Sequence, residues 1–422
     1  MRMTRPRIAA HCIMFALLIG GSALAKDRPA ADWVGAWGFP PTSFVPTPVP
    51  PNPTSRTNSS VPNFNGVTVR QIVRISAQAK RIRIRFSNEF ADKPMRLGSV
   101  HVALAAADGA TLPGSDHVVT FSGTAATTIP AHAPVLSDPI DWALPALTKL
   151  SISVYLPEDT VPPAHRVSEY ISSPGDFTAA QSMPGAELAR SGALVSEVDI
   201  QSPRARRVVV TLGDSITEGF GSAVNEFHGW PDRLADRLSK SGAANRWSLV
   251  NVGINSNRLM HDGPGDGALA RFDRDVLSVP GVSMVLMLEG INDIGYSHTV
   301  PAQAVTAADI IGAYSQVIAR AHEHGISVVA ATIPPFENSH YYDAAGEQTR
   351  QAVNQWIRTS GAFDGVVDFD ALLRDPAHVT QVKEALQRGD HLHPNDAGYA
   401  AMGDAIDLKL FERESINGRN LR

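Results

Sequence analysis

Cysteine is almost absent from this chain. Cys12 is the only cysteine among 422 residues, and it lies in an N-terminal segment that we expect to be removed from the mature protein. The mature chain would then contain no disulfide, no thiol nucleophile and no cysteine-ligated metal. We therefore expect its stability to come from a hydrophobic core, which a chain of this length can bury.

Basic residues are scarce relative to acidic ones. The chain has 37 Lys and Arg against 42 Asp and Glu, a formal net charge of −5. Residues 1–25 hold three arginines and no acid, so their removal leaves 34 basic against 42 acidic residues, or −8. Nucleic acids and anionic membrane surfaces are bound by basic patches. This charge balance therefore argues against a nucleic-acid partner.

Long apolar runs are missing after residue 25, so we expect no stable membrane insertion of the mature chain. The N-terminus differs, because Arg2, Arg5 and Arg7 precede a mostly apolar stretch at 8–18 and a small-residue site at 23–25. This pattern predicts a signal peptide over residues 1–25 and export to the periplasm or the medium. An N-terminal membrane anchor is the alternative.

Several enzyme signatures are also missing. The sequence has no Gly-x-Ser-x-Gly elbow, no Gly-x-x-x-x-Gly-Lys phosphate loop and no Gly-x-Gly-x-x-Gly fingerprint. These absences argue against an ordinary α/β-hydrolase, a P-loop enzyme and a dinucleotide-dependent enzyme. His322-Glu323-His324 lacks the spacing of a zinc helix and is more typical of a helix end. We predict neither a metal nor an organic cofactor.

The chain divides into two regions of different pattern. Residues 39–63 are rich in proline and predict an extended segment. From about 67 to 170, short runs of alternating polarity predict strands, and 81–86 alternates strictly. We therefore predict a β-rich accessory domain over 26–200, a sandwich or jelly roll. Whether it binds carbohydrate or only packs against the rest stays open at this point.

From residue 201 to 422 the pattern changes to that of an α/β domain. Apolar runs at 207–212, 248–252, 283–288, 327–333 and 365–369 predict five strands, and helical stretches such as 230–241 lie between them. This alternation predicts a doubly wound sheet with a parallel core. Active sites of such sheets lie where the strands end at their carboxyl edge.

Two segments hold candidate catalytic groups. Gly213-Asp214-Ser215 follows the first of these strands, where a serine hydroxyl can project from the sheet edge. A serine needs an activating base to attack a carbonyl, and Asp390 with His393 can supply an oriented imidazole. Taken alone, Gly-Asp-Ser could equally be a capping turn. His391 could compete as the base, although it adjoins Asp390 directly.

Two further loops could stabilise an oxyanion, which acyl transfer generates. Gly253 follows the second strand, and Gly290-Ile291-Asn292-Asp293 follows the third. The backbone N–H groups of Ser215 and Gly253 and the side-chain amide of Asn292 are suitable donors. For either loop in isolation, the alternative is that the glycines turn the chain while the asparagine and aspartate cap a helix.

Together these four segments resemble the sequence blocks of the SGNH (GDSL-type) hydrolases, in the same order, over residues 207 to about 407. The resemblance implies a flavodoxin-like parallel sheet and makes Ser215, Gly253, Asn292 and His393 the four named positions, with Asp390 orienting His393. One departure concerns the second block, which often has another glycine downstream, whereas Asn255-Ser256-Asn257 stand here.

The wider context is similar to a secreted subgroup of arylesterases and acylhydrolases attached to xylan-degrading enzymes. The stretches that carry this likeness are 33–37, the β-rich region and 288–295. It implies an exported serine esterase that removes short acyl groups, such as acetyl, from carbohydrate. The expected partner is thus a small-molecule or polysaccharide ester. A lysophospholipase or general arylesterase, and a carbohydrate-binding protein with little catalysis, are the alternatives.

Overall fold

The computed structural model describes residues 33–42, 64–162, 166–242 and 244–412. The predicted signal peptide and most of the proline-rich segment lie outside the described residues. Within the described part of the chain, no helix is long and apolar enough to cross a membrane.

The first half of the described chain consists of antiparallel strands. Two sheets have the orders β1-β13-β3-β8, with β9 also on β3, and β12-β11-β2-β10-β5-β6, while β4 and β7 form a separate pair. The strands are β1 Val34–Gly38, β2 Val67–Arg74, β3 Ala79–Asn88, β4 Met95–Leu97, β5 Val100–Leu104, β6 His117–Val118, β7 Thr127–Ile129, β8 Ala133–Leu136, β9 Ile140–Leu144, β10 Lys149–Leu156, β11 Arg166–Pro174, β12 Glu187–Gly192 and β13 Val195–Gln201.

The alternation in β3 explains how these sheets pack. Ile82, Ile84 and Phe86 are fully buried, whereas the arginines between them are partly exposed. Ile82 and Ile152 of the other sheet belong to the same hydrophobic core, so the two sheets bury their apolar side chains in a shared core. The prediction of an antiparallel β-rich region is therefore confirmed.

The second half forms a five-stranded parallel sheet with helices. Its strands are β14 Arg207–Gly213, β15 Trp247–Gly253, β16 Val282–Leu288, β17 Ser327–Ala331 and β18 Gly365–Val367. Its helices are α1 Ser215–Glu218, α2 Trp230–Lys240, α3 Ala268–Phe272, α4 Ile291–Thr299, α5 Ala307–Glu323, α6 Ala344–Thr359, α7 Phe369–Leu373 and α8 Asp396–Ala405, with a π-helical turn at Asp273–Leu277 after α3. Short 3₁₀ turns occupy Ala107–Gly109, Ala244–Arg246, Pro301–Gln303, Glu384–Leu386 and Leu408–Phe411.

The strand order β15-β14-β16-β17-β18 is the 2-1-3-4-5 order of flavodoxin-like sheets. Val208 and Val210 join one core and Val209 joins another, so both faces of the sheet are covered. One core includes α5 and the other includes α2 and α8. The predicted doubly wound fold is confirmed. Two strands end earlier than predicted, and the second of them stops at Val367 because Asp368 caps helix α7.

The register brings the ends of three strands level. Gly213 pairs with Gly253 of β15 on one side and with Leu288 of β16 on the other. The segments that follow these three residues therefore leave the same edge of the sheet side by side. This edge is where the candidate site residues lie.

Strand β1 joins the two halves of the chain. The Gly35 N–H donates to Pro280 O at 2.9 Å, and Ser248 Oγ donates to Gly35 O at 2.6 Å. Ser76 Oγ also donates to Leu249 O at 2.8 Å. The antiparallel region is thus hydrogen-bonded directly to strand β15 of the parallel sheet.

Candidate active site

Ser215 stands at the first position of helix α1, directly after β14. Asp214 caps this helix, because its Oδ1 accepts the Ile216 N–H at 2.8 Å. Gly213 makes the turn possible, since a Cβ there would lie 2.1 Å from Thr217 Oγ1 and 2.5 Å from Leu288 O. The Ser215 N–H is the first of the helix and has no acceptor within it.

The structure brings Ser215, His393 and Asp390 together. Ser215 Oγ lies 2.8 Å from His393 Nε2, and His393 Nδ1 lies 2.8 Å from Asp390 Oδ2. The other carboxylate oxygen of Asp390 accepts the N–H groups of Leu392 at 3.1 Å and His393 at 2.9 Å. This chain of contacts can orient the imidazole and leave Nε2 for the serine proton.

Asp390 is held in its ionised form. Burial alone would raise its pKa, but hydrogen bonds and charge from His393, together with the Leu392 N–H, keep the pKa well below its usual range. A carboxylate that stays ionised can stabilise an imidazolium beside it. His391, the competing imidazole, lies at a positive φ of 59°, and its N–H donates to Gln387 Oε1. The imidazole at hydrogen-bond distance from Ser215 is therefore that of His393.

Asn292, the predicted side-chain donor to an oxyanion, lies at the start of α4. Its side chain is buried, and Nδ2 donates to Asn257 O at 2.8 Å. One amide hydrogen is thus used to fix the side chain and one remains for a ligand. Asp293 does not cap α4, since its carboxylate accepts the N–H groups of Leu259 at 2.7 Å and Met260 at 3.1 Å.

Gly253, a predicted oxyanion donor, has its N–H bonded to a side chain in the structure. Its only N–H donates to Asn251 Oδ1 at 2.9 Å and is not available to an oxyanion. A Cβ at Gly253 would lie 2.3 Å from the Glu218 N atom. The glycine is therefore required because strand β15 ends directly against the backbone of helix α1.

Ser256 is a further candidate donor that was not predicted from the sequence. It lies at a positive φ of 58° in the loop 254–257, next to the Asn257 carbonyl that fixes Asn292. Among the described residues, no acceptor of its N–H is found. The signal in the sequence was the departure from glycine at Asn255-Ser256-Asn257, because a left-handed backbone conformation favours glycine.

Three buried carboxyl groups lie behind the site. Burial raises the pKa of Asp214 to about 7, and the charges of Asp293 and Glu218 add to the increase. Burial also raises the pKa of Asp293 to about 6, despite its two backbone hydrogen bonds. The pKa of Glu289 is raised well above its usual value by burial and then by Asp214. Neither Asp214 Oδ2 nor Glu289 Oε1 has a hydrogen-bond partner among the described residues.

The antiparallel region contributes to the rim of the site. The Phe220 ring lies 4.8 Å from the His393 ring, centroid to centroid. The guanidinium of Arg388 lies 4.9 Å from the centroid of Phe220, and that of Arg190, in strand β12, lies 6.0 Å from it. Arg190 also pairs with Glu218 at 3.6 Å. A side chain from β12 thus supports the wall beside the imidazole.

The part of the chain that the structure describes contains no group of three or more His, Cys, Asp or Glu side chains that could hold a metal ion. His322, whose motif lacks the spacing of a zinc helix, contacts Asp364 at 2.8 Å near the end of α5.

The flavodoxin-like sheet and the Ser215–His393–Asp390 contacts are those of a serine hydrolase that acts on esters. Residues 211–401 match the model of the GDSL-like lipase/acylhydrolase family. The parallel-sheet half of the chain therefore holds a domain that matches this family's model, and the chain is a carboxylic ester hydrolase.

Solved structures with a similar fold cover about half of this chain. A catalytic mutant of the acetylxylan esterase Axe2 from Geobacillus stearothermophilus has 20% identity, covers 51% of this chain and 99% of its own, and has a TM-score of 0.39. A member of the lipolytic G-D-S-L family from Veillonella parvula has 18% identity, coverages of 49% and 100%, and a TM-score of 0.37. A GDSL-like lipase from Bacteroides thetaiotaomicron has 19% identity, coverages of 48% and 87%, and a TM-score of 0.37. Among curated proteins, none matches the chain.

Proposed function

We propose that this protein is an exported serine esterase that removes short acyl groups, above all acetyl, from carbohydrate through an acyl-enzyme on Ser215. The observation that carries the chemistry is the chain of two 2.8 Å contacts from Ser215 Oγ through His393 to Asp390. The proposal of export rests on the signal-peptide pattern of residues 1–25, which lie outside the described part of the chain.

In the proposed mechanism, Ser215 Oγ attacks the ester carbonyl while His393 Nε2 accepts its proton. The tetrahedral oxyanion is stabilised by the N–H of Ser215, the second amide hydrogen of Asn292 and the N–H of Ser256. His393 then donates the proton to the departing alcohol, and the acyl group stays on Ser215. Water repeats the cycle with His393 as base, releases the acid and restores the serine.

A carbohydrate ester is the substrate class that we favour on three grounds. The signal-peptide pattern predicts contact with material outside the cytoplasm, and the sequence resembles a subgroup attached to xylan-degrading enzymes. In addition, the sequence has no sustained apolar run between the catalytic segments that would line a groove for a long acyl chain. Lysophospholipids and aryl esters are the alternative substrates of the same chemistry.

The test compares acetate released from acetylated xylan with fatty acid released from lysophospholipid, at matched ester concentrations. The purified protein, its Ser215→Ala variant and a Ser239→Ala control are assayed in parallel. Ser239 lies on α2 and donates to Asp236 O, away from the site. We expect acetate release to dominate, and Ser215→Ala to lose at least about 10³-fold in kcat, as triads do when a member is removed. The Ser239 variant should match wild type.

Other outcomes lead to different conclusions. Fatty-acid release alone would keep Ser215 as nucleophile and overturn the carbohydrate substrate. Full activity of Ser215→Ala would overturn the mechanism. If wild type released neither product but was retarded on an acetylated-xylan affinity gel, the protein would be a carbohydrate binder instead.

A further inference from the structure

Arg271 is a fully buried cation that the proposed mechanism does not use. It lies in the short helix α3, and its side chain is 0% exposed. A buried guanidinium is costly unless its donors are all satisfied. The positions of its acceptors therefore indicate what this arginine does.

Its three nitrogen atoms reach two strand ends and one loop of the candidate site. Nη2 donates to Gly213 O at 3.2 Å, Nη1 donates to Val252 O at 2.7 Å, and Nε donates to Asn257 Oδ1 at 2.9 Å. Gly213 ends β14 two residues before Ser215, and Val252 precedes the last residue of β15.

The third acceptor links Arg271 to the remaining strand end. Asn257 accepts the Arg271 Nε–H on its side chain and the Asn292 amide on its carbonyl at 2.8 Å. Arg271 Nη2 also lies 3.9 Å from Glu289, which follows β16 directly. Asp275 balances the charge at 3.2 Å. One side chain thus contacts the ends of β14 and β15 and the segments that follow β15 and β16.

We propose that Arg271 is a positioning residue that holds the nucleophile and the oxyanion donors in register with one another. This inference rests on the proposed role of Ser215. The sheet ladder ends at Gly213, Gly253 and Leu288, and just beyond it the Ile254 N–H donates to Gly213 O at 3.0 Å. Within the described residues, no backbone hydrogen bond joins the segment after β16 to the segments after β14 and β15. A planar guanidinium with five donors can join several acceptors at fixed angles, which an ammonium cannot.

The test is a pair of substitutions, Arg271→Lys and Arg271→Met, with Arg350→Met as the control. Arg350 is also 0% exposed and donates to Ile333 O, Glu347 and Asp370. Within the described part of the chain, it contacts none of the candidate catalytic residues and none of the segments after β14, β15 and β16. The two methionine variants therefore remove equally buried guanidinium groups, of which only one reaches the site.

The readouts are kcat, KM and Tm, together with the affinity for a boronic acid that forms a tetrahedral adduct with a serine hydroxyl. Assays are run well below each variant's Tm. For both Arg271 variants we expect kcat to fall by about 10- to 100-fold with KM within about threefold of wild type, because small displacements of reacting groups cost this much. Boronic-acid affinity should fall by a similar factor. Arg350→Met should lower Tm but keep kcat.

The inference is overturned if Arg271→Lys keeps wild-type kcat, or if both methionine variants lose kcat in proportion to their loss of Tm. If Arg271→Met does not fold, Arg271→Lys decides alone, since it retains the charge beside Asp275. Ser215→Ala separates this inference from the proposed function. If Ser215→Ala is active, Ser215 is not the nucleophile and the proposed function fails. If Ser215→Ala is inactive but Arg271→Lys is fully active, only the positioning role of Arg271 fails.

Discussion

At the scale of single residues, the catalytic positions and two of the oxyanion donors, Ser215 and Asn292, were predictable from the sequence, but the hydrogen bond of the Gly253 N–H was not. Ser215 and His393 are visible in the sequence because each stands in a short motif whose local order places it at a strand end or loop. The availability of the Gly253 N–H depends on Asn251 Oδ1 accepting it. No sequence pattern states whether a donor is already bonded in the fold.

The backbone of Ser256 is the donor that we expect to replace that of Gly253. Ser256→Gly should keep wild-type kcat and raise stability slightly, because glycine adopts the φ of 58° without strain. Ser256→Pro should lose about 10²-fold or more in kcat, since proline has no N–H and a fixed negative φ. Steady-state assays and thermal unfolding of both variants check this. A large loss of kcat in Ser256→Gly would show that the side chain is needed instead of the backbone.

At the scale of elements, the strands of the parallel sheet were predictable from their apolar runs, and their common edge followed from the parallel order. The buried position of Arg271 was not predictable, because an arginine in a helical stretch ordinarily indicates a solvent-facing position. Its burial depends on carbonyls at Gly213 and Val252, which are distant in sequence. The contact of β12 with the site rim likewise depends on how the two halves pack.

That contact gives a prediction for Arg190, which lies over Phe220 and pairs with Glu218. A cation–π contact at an exposed site contributes about 0.5–1 kcal/mol. We expect Arg190→Ala to lose this energy from the transition state and therefore to lower kcat/KM by about two- to fivefold. Arg96→Ala is the matched control. Arg96 is similarly exposed, 50% against 51%, and pairs with Glu158 at 3.9 Å.

The measurement is kcat/KM on a small soluble acetyl ester, together with Tm. We expect Arg96→Ala to match wild type in both quantities. Equal activity of the Arg190 and Arg96 variants would mean that strand β12 packs beside the site without supporting it.

At the scale of the whole molecule, the buried carboxyl groups make stability depend on pH. Asp214, Glu289 and Asp293 all have pKa values raised above those of the unfolded chain. Their neutral forms are therefore favoured by folding, and their stabilising contribution is complete below their unfolded pKa values of about 4. It is lost as the pH rises through the folded pKa values, about 6 for Asp293 and about 7 for Asp214.

Glu289→Gln isolates one part of this dependence. Glutamine stays neutral at every pH, so the variant should gain stability relative to wild type as the pH rises from about 5 to 8. Asp309→Asn is the control in which the change of stability with pH should have the opposite sign, because hydrogen bonds from Thr306 lower the pKa of Asp309. This variant should lose stability relative to wild type as the pH rises from about 3 to 5. The free energy of unfolding is measured by urea denaturation at each pH. A difference between Glu289→Gln and wild type that stays constant with pH would mean that Glu289 is already ionised in the folded protein.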